Sequence, residues 1–141
     1  MLQFYFLSVA ANLIAGAALS SDWISERFSS LSAILRALSA RRARMVTGLL
    51  AIGAGLGTLF VPAAYPVILG DLFPSVVGIG AGIALLFEAL RQEVFYSTTD
   101  AAETAPDGGP WRAPRAYRTA VAAFAFAAAV LHFFLPERII L

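Results

Sequence analysis

Four polar residues stand in or beside long apolar stretches of this chain, and they are the first candidates for chemistry: Asn12, Asp71, Glu88 and His132. Polar side chains inside a bilayer are costly unless they are satisfied, so each of them marks a functional hypothesis. A carboxylate near the centre of a membrane could couple transport to protons or cations. A carboxylate beside a histidine could act as an acid–base pair.

Asn12 and Glu88 each have a structural alternative. Asn12 is expected at the middle of its helix, where a hydrogen bond between helices is favoured over a ligand contact. Glu88 lies one turn from the end of its helix. Pairing with Arg91 at i+3, or extension towards the interface, is favoured over a coupling role.

Asp71 and His132 are expected on the same side of the membrane. Asp71 precedes Leu72-Phe73-Pro74, a sequence typical of a helix N-cap with proline in the first turn. An external cation or a partner protein is the alternative ligand for this carboxylate. His132 lies in an aromatic setting, which favours a hydrogen-bonded structural role. A contact between Asp71 and His132 is the one pairing that could support acid–base chemistry.

Composition excludes several other functions. The chain has no cysteine and one histidine, which removes disulfides, thiolate nucleophiles and the usual zinc, iron–sulfur or haem ligands. The net charge is +1, and no basic run interleaved with aromatic residues indicates nucleic-acid binding. We therefore expect no enzymatic activity, no cofactor, no metal and no nucleic-acid partner.

The elements that position these residues are predicted to cross a membrane. Sixty per cent of the 141 residues are hydrophobic and 13% are charged, against roughly 25% charged in soluble domains. A span needs about 20 apolar residues. The chain is predicted to be one all-α membrane domain, residues 1–141, forming a bundle of four transmembrane helices. Their approximate bounds are 2–20, 45–64, 72–90 and 116–135.

The first span has Ala15-Gly16-Ala17, which is similar to a signal-peptide cleavage site, but no basic region precedes it. It is therefore expected to be a retained helix.

Arginine distribution predicts the orientation. Of the ten basic residues, all of them arginine, nine lie within or beside the two long connections, and only Arg138 lies elsewhere. By the positive-inside rule both connections are cytoplasmic and both termini are external. The expected location is a bacterial inner membrane. The arginines and tryptophan expected to anchor the chain at the inner leaflet are Arg41, Arg42, Arg44, Trp111, Arg112 and Arg115.

The two cytoplasmic connections differ in character. Apolar residues at 24, 28, 31, 35 and 38 follow helical spacing, which predicts an amphipathic helix over about 22–39 with Asp22 at its N-cap. This helix either lies on the inner leaflet, the favoured interpretation, or docks a cytoplasmic partner. Residues 96–110 are polar, acidic and rich in glycine and proline, which is typical of a flexible loop.

Small residues are concentrated in the second and third spans. Gly53 and Gly57, like Gly78 and Gly82, have GxxxG spacing, which predicts close packing between these helices. A glycine-lined pore or groove is the alternative. A GxGxxG nucleotide loop is excluded because no strand precedes either run.

Two functions remain open. The favoured hypothesis is a non-enzymatic accessory or packing subunit of a larger membrane complex, such as a transport complex, whose partners are the lipid bilayer and other membrane subunits or further copies. The alternative is a homo-oligomeric channel or transporter for a small solute or ion. A lipid-modifying enzyme is the least favoured, because no nucleophile–base pair or metal set can be assembled.

Overall fold

The computed structural model describes residues 2–60, 68–98 and 115–134, and within these ranges it contains helices and no strands. In chain order the elements are α1 Leu2–Leu19, α2 Ser21–Arg27, a 3₁₀ turn Ser29–Leu31, α3 Ser32–Ser39, α4 Arg41–Phe60, α5 Ile68–Thr98 and α6 Arg115–Phe134.

Three described helices have the length and composition to cross a membrane: Arg41–Phe60, Leu72–Arg91 and Ala116–Phe134. The first part of the chain is bent, because Phe6–Leu19 and Ser21–Arg27 meet at 73°. If this bent pair counts as one span, the number rises to four. The expected all-helical class is therefore found, with three to four segments suited to a bilayer.

The long helices form one bundle. α4 packs along α5, and α1 contacts α4, α5 and α6. The core is made largely of alanine, since a small side chain lets neighbouring helix backbones approach closely. The buried core residues include Ala15, Ala18, Ala81, Leu85 and Ala125. Larger apolar side chains, such as Leu50 on α4 and Ile83 on α5, face outwards.

The segment predicted as one amphipathic helix over 22–39 is divided. Phe28 takes an extended conformation (φ −132°, ψ 86°) that ends α2, and the chain returns through the 3₁₀ turn into α3. The hydroxyl of Ser39 lies 2.8 Å from that of Ser21 and joins the end of α3 to the start of α2. Leu35 is buried, so this connection folds against the bundle on one side.

Helix bounds also differ from the prediction. α4 begins at Arg41, four residues before the predicted start of the second span, and its arginines form the first turn of the helix. α5 continues to Thr98 and so includes the first residues of the predicted 96–110 loop. The remainder of that loop lies outside the described residues. Of the external connection predicted over Pro62–Asp71, residues 62–67 lie outside the described residues as well, whereas residues 68–71 form the start of α5.

Candidate functional site: a charge cluster at one end of the bundle

Four charged side chains from four helices meet at one end of the bundle, and we call Asp22, Arg44, Glu88 and Arg118 the charge cluster. Asp22 lies in the first turn of α2, Arg44 in the first turn of α4 and Arg118 in the first turn of α6. Glu88 comes from α5, which runs in the opposite direction. Because α4 and α6 begin where α1 ends, these positions fall at the same level.

Glu88 is the centre of the cluster. Its Oε2 lies 3.0 Å from Nη1 of Arg44, and its Oε1 lies 2.8 Å from Nε of Arg118. The side chains of Arg44, Arg118 and Glu88 are only 8%, 7% and 14% exposed. Removing charges from water is costly, and pairing offsets this cost only when both signs are present.

Arg118 extends the cluster to the first helix. Its Nη1 donates a hydrogen bond to Oδ2 of Asp22 at 3.0 Å, and its Nη2 donates to the carbonyl of Leu19 at 3.2 Å. Leu19 is the last residue of α1, where helix geometry leaves carbonyls without intrahelical donors. A cation there also interacts favourably with the helix dipole. One arginine of α6 therefore ties together α1, α2 and α5.

These contacts correct two predictions. Arg44 was expected at the inner leaflet as an anchor, but its side chain points into the bundle and pairs with Glu88. Arg41 and Arg42 are exposed at the start of α4. Glu88 was expected to pair with Arg91 or to extend towards the interface, but it pairs with Arg44 and Arg118. The Arg91 guanidinium lies over the ring of Phe87, 3.8 Å from its centroid.

Asp22 has a different role from the predicted N-cap. α2 begins one residue earlier, at Ser21, and its N-cap residue Ser20 makes no side-chain capping bond. The hydroxyl of Ser20 instead donates to the carbonyl of Gly16 at 2.7 Å. The carboxylate of Asp22 is therefore available to Arg118.

A second polar contact lies deeper in the bundle. Nδ2 of Asn12 donates to the carbonyl of Pro74 at 3.2 Å, and Asn12 is fully buried. The hydrogen bond between helices that was favoured for Asn12 is confirmed. Between α4 and α5, the hydroxyls of Thr58 and Ser75 are 2.5 Å apart and link the two helices.

The other two polar candidates lie at the opposite end. His132 is buried within α6. Asp71 lies within α5, which begins at Ile68, so the helix N-cap predicted at Asp71 is wrong. Its side chain lies outside the described residues, and its pairing with His132 stays a prediction. The side chains of Trp111, Arg112 and Arg115, predicted to anchor the inner leaflet, lie outside the described part as well.

The glycines that bring α4 and α5 together are partly those predicted. A Cβ built on Gly82 would lie 2.6 Å from the carbonyl oxygen of Gly48. A Cβ on Gly78 would lie 3.4 Å from the carbonyl oxygen of Ala51 on α4 and 3.2 Å from Oδ1 of Asn12 on α1. Gly53, in contrast, was predicted to pack but faces open space, with nothing within 4 Å of a Cβ. It lies on the outer side of α4.

Gly55 takes the packing role that Gly53 was expected to have. A Cβ on Gly55 would lie 2.7 Å from the carbonyl oxygen of Ser75, and Gly57 is half-buried. Gly48 and Gly55 are seven residues apart, a spacing that keeps both on one helix face. This heptad spacing is the signal in the sequence that could have found them.

The chemistry of the cluster follows from its pairing. Both carboxylates face arginine, so the arrangement neutralises charge and joins helix ends. Among the residues whose side chains are described, no group of three histidine, cysteine, aspartate or glutamate residues could hold a metal ion.

Comparisons with known proteins place the chain in a family without assigning an activity. No curated protein and no solved structure shows significant similarity to it. Residues 1–132 match the model of a family of proteins whose function is not described. This match covers most of the chain, and the chain therefore belongs to that family.

Proposed function

We propose that the protein is a non-enzymatic accessory subunit that crosses the membrane four times and packs against other membrane proteins of a larger complex, such as a transport complex. The fourth span in this proposal is α1. Its bend of 73° into α2 lets α1 cross the bilayer while α2 turns along the interface.

The proposed orientation places the charge cluster at the cytoplasmic end of the bundle. Arg27, Arg36, Arg41 and Arg42 are exposed at this end, on or beside the connection between α1 and α4. Exposed arginines near the ends of spans favour the cytoplasmic side. The location that follows is an inner membrane with both termini external.

One observation carries the proposed role: Asn12 and Glu88, the two polar side chains expected to line a solute path, contact other helices of the same chain. Glu88 pairs with two arginines, and Asn12 donates to Pro74. The core between these positions is filled by apolar residues such as Ala81 and Leu85, both without exposed surface. This arrangement supports a packing role.

The outer surface supports contact with lipid and with other helices. Between the bundle ends, the described outward faces of α4 and α5 carry Leu49, Leu56, Val76 and Ile83. Gly53 and Gly80 are open notches on the same faces. Such notches allow a helix of another subunit to approach closely.

Crosslinking in native membranes tests the proposal. A photoreactive amino acid at Leu49 or Ile83 is expected to capture a specific second membrane protein, and one at Phe124 on α6 serves as the comparison position. Reproducible capture of the same protein from the α4–α5 face would support the accessory role. Capture of lipid and further copies alone would overturn it.

The alternative is a homo-oligomeric channel or transporter. It requires polar residues along a shared route, and Asn12 and Glu88 are the residues predicted to line it. Reconstituted protein that conducts an ion or solute, with flux altered by Asn12→Ala or Glu88→Gln, would favour this alternative. Because both substitutions are expected to destabilise the bundle, flux is compared per folded molecule, with the folded fraction of each variant measured first.

A further inference from the structure

A cleft opens beside the charge cluster, between α2 and the first turns of α6. Its volume is about 550 Å³. The cleft, which we call the α2–α6 cleft, is lined on one side by Leu19, Asp22, Trp23 and Glu26. On the other side it is lined by residues of α6, from Ala116 to Ala123.

The floor of the cleft is suited to an apolar chain. Ala116, Ala120 and Ala123 of α6 line it and are exposed. Their spacing places them along one side of the helix, running from the bundle end towards its middle. With Leu19 they form a shallow apolar track in the direction that a lipid chain takes through a leaflet.

The mouth of the cleft presents a carboxylate. The Asp22 side chain is 41% exposed. Its Oδ2 accepts from Arg118, and a carboxylate has further lone pairs that can accept from a second donor. Glu26 lines the cleft one turn later on α2, and Arg118, which also lines it, is buried among Glu88, Asp22 and Leu19. The mouth therefore presents the Asp22 carboxylate as a hydrogen-bond acceptor.

Trp23 adds an aromatic surface at the same place, since it lines the cleft and is 58% exposed. A tryptophan ring attracts cations over its face, and tryptophan is enriched where a membrane meets water. A carboxylate oxygen beside such a ring suits a primary ammonium group, which can donate hydrogen bonds as well as carry charge.

We infer that the α2–α6 cleft binds an aminophospholipid, with the primary ammonium of the headgroup at Asp22 and Trp23 and one acyl chain along the alanine track of α6. This inference uses the membrane orientation proposed above, and it is independent of the accessory role. The bend between α1 and α2 brings the carboxylate to the headgroup level while the track descends into the leaflet.

Tryptophan fluorescence tests the inference with the full chain. Trp111→Phe leaves Trp23 as the single tryptophan. The protein is placed in phosphatidylcholine nanodiscs that contain a minor fraction of brominated phosphatidylethanolamine or brominated phosphatidylglycerol. Bromine quenches a nearby indole, so the comparison reports which lipid occupies the site beside Trp23.

The expected result is an apparent affinity for phosphatidylethanolamine roughly tenfold above that for phosphatidylglycerol, a ratio that one hydrogen bond to a charged group can supply. Ala120→Phe, which fills the cleft, is expected to abolish the preference. Ala127→Phe is the matched control, because Ala127 is another exposed alanine of α6 that does not line the cleft. Asp22→Asn should also reduce the preference.

Equal quenching by the two brominated lipids would overturn the inference, as would a preference that survives Ala120→Phe. Soluble phosphoethanolamine separates a lipid from a free amine. If it displaces brominated phosphatidylethanolamine only weakly, the acyl chain contributes to binding as proposed. If it shifts Trp23 fluorescence while the lipids show no preference, the cleft binds a free amine and the lipid assignment is wrong. These measurements need no partner protein, so their failure is distinct from failure of the accessory role.

Discussion

Gly48 of α4 and Gly82 of α5 bring two helix backbones into direct contact. A Cβ on Gly48 would lie 2.9 Å from the carbonyl oxygen of Gly82, and a Cβ on Gly82 would lie 2.6 Å from that of Gly48. The relationship is reciprocal and involves backbone atoms, which cannot rotate away as a side chain can. This contact sets the distance between the backbones of α4 and α5.

Gly82→Ala is expected to destabilise the bundle, because the added methyl group requires the two backbones to separate. Overpacking of this kind costs about 1–3 kcal/mol. Gly80→Ala is the matched control, since Gly80 belongs to the same Ile79-Gly80-Ala81-Gly82 sequence but has nothing within 4 Å of a Cβ. Thermal unfolding in detergent, followed by circular dichroism, should show a lower midpoint for Gly82→Ala only. Equal midpoints would contradict the described contact.

Glu88→Gln is expected to be strongly destabilising, because it leaves Arg44 and Arg118 buried with less compensating charge. Breaking a buried ion pair by removing one partner costs about 3–5 kcal/mol. Arg91→Met serves as the control, because Arg91 contacts Phe87 and lies outside the charge cluster. Unfolding by a denaturing detergent measures the difference.

Arg44 and Glu88 are expected to be coupled. The double variant Arg44→Met/Glu88→Met should lose less stability than the sum of the two single variants, because it removes both charges together. Coupling energies for residues in contact are about 0.5–3 kcal/mol. A double-mutant cycle in the same detergent gives this value, and strict additivity would argue against the ion pair.

Asn12→Leu is expected to cost about 0.6–2 kcal/mol, the range for a hydrogen bond between helices in a membrane. Leucine has the same number of side-chain heavy atoms as asparagine but cannot donate to Pro74. Leu13→Ala, on the exposed side of α1, is the control for a change that leaves the interior intact. If Asn12→Leu unfolds at the same denaturant concentration as the native chain, the Asn12–Pro74 bond contributes no net stability.

Single-cysteine labelling tests the proposed orientation. The native chain has no cysteine, so each introduced thiol is the only one present. Ser29→Cys, between α2 and α3, is expected to react in intact cells only with a membrane-permeant maleimide. Phe60→Cys, at the far end of α4 and 81% exposed, should react with an impermeant reagent. The reverse pattern would place the charge cluster on the external side.

Sequence patterns located the helices better than their ends. Uncharged runs predict where α4, α5 and α6 lie, because lipid tolerates few charges. Charges, however, mark the limit of the apolar segment and not of the helix. Arg41 and Arg42 therefore lie inside α4, and α5 continues seven residues past Arg91 to Thr98.

The charge cluster was not predicted, because its members are far apart in the sequence. Glu88 and Arg91 are neighbours along one helix, so a local pattern pairs them. The observed partners, Arg44 and Arg118, come from other helices, and only the packing arrangement brings them together. A usable signal was present: α2, α4, α5 and α6 each carry at least one charged residue near the same bundle end.

The glycine prediction shows a related limit. Spacing indicates which residues share a face of a helix, but α4 has glycines on more than one face. The pattern Gly53/Gly57 was chosen, while the face against α5 holds Gly48 and Gly55. The difference depends on how α4 is rotated about its axis, which contacts with α1 and α5 decide together.

The position of Arg118 in the chain gives the cluster an order of assembly. A ribosome makes Asp22, Arg44 and Glu88 before Arg118, and early segments fold first during synthesis. Arg44 and Glu88 can therefore pair as soon as the α4–α5 hairpin has formed. Asp22 can pair with Arg118 only after α6 has been made. The contacts at the end of α1 and on α2 are therefore complete only when α6 is in place. A chain truncated before residue 115 would keep the α4–α5 hairpin but would leave α1 without its link to Arg118.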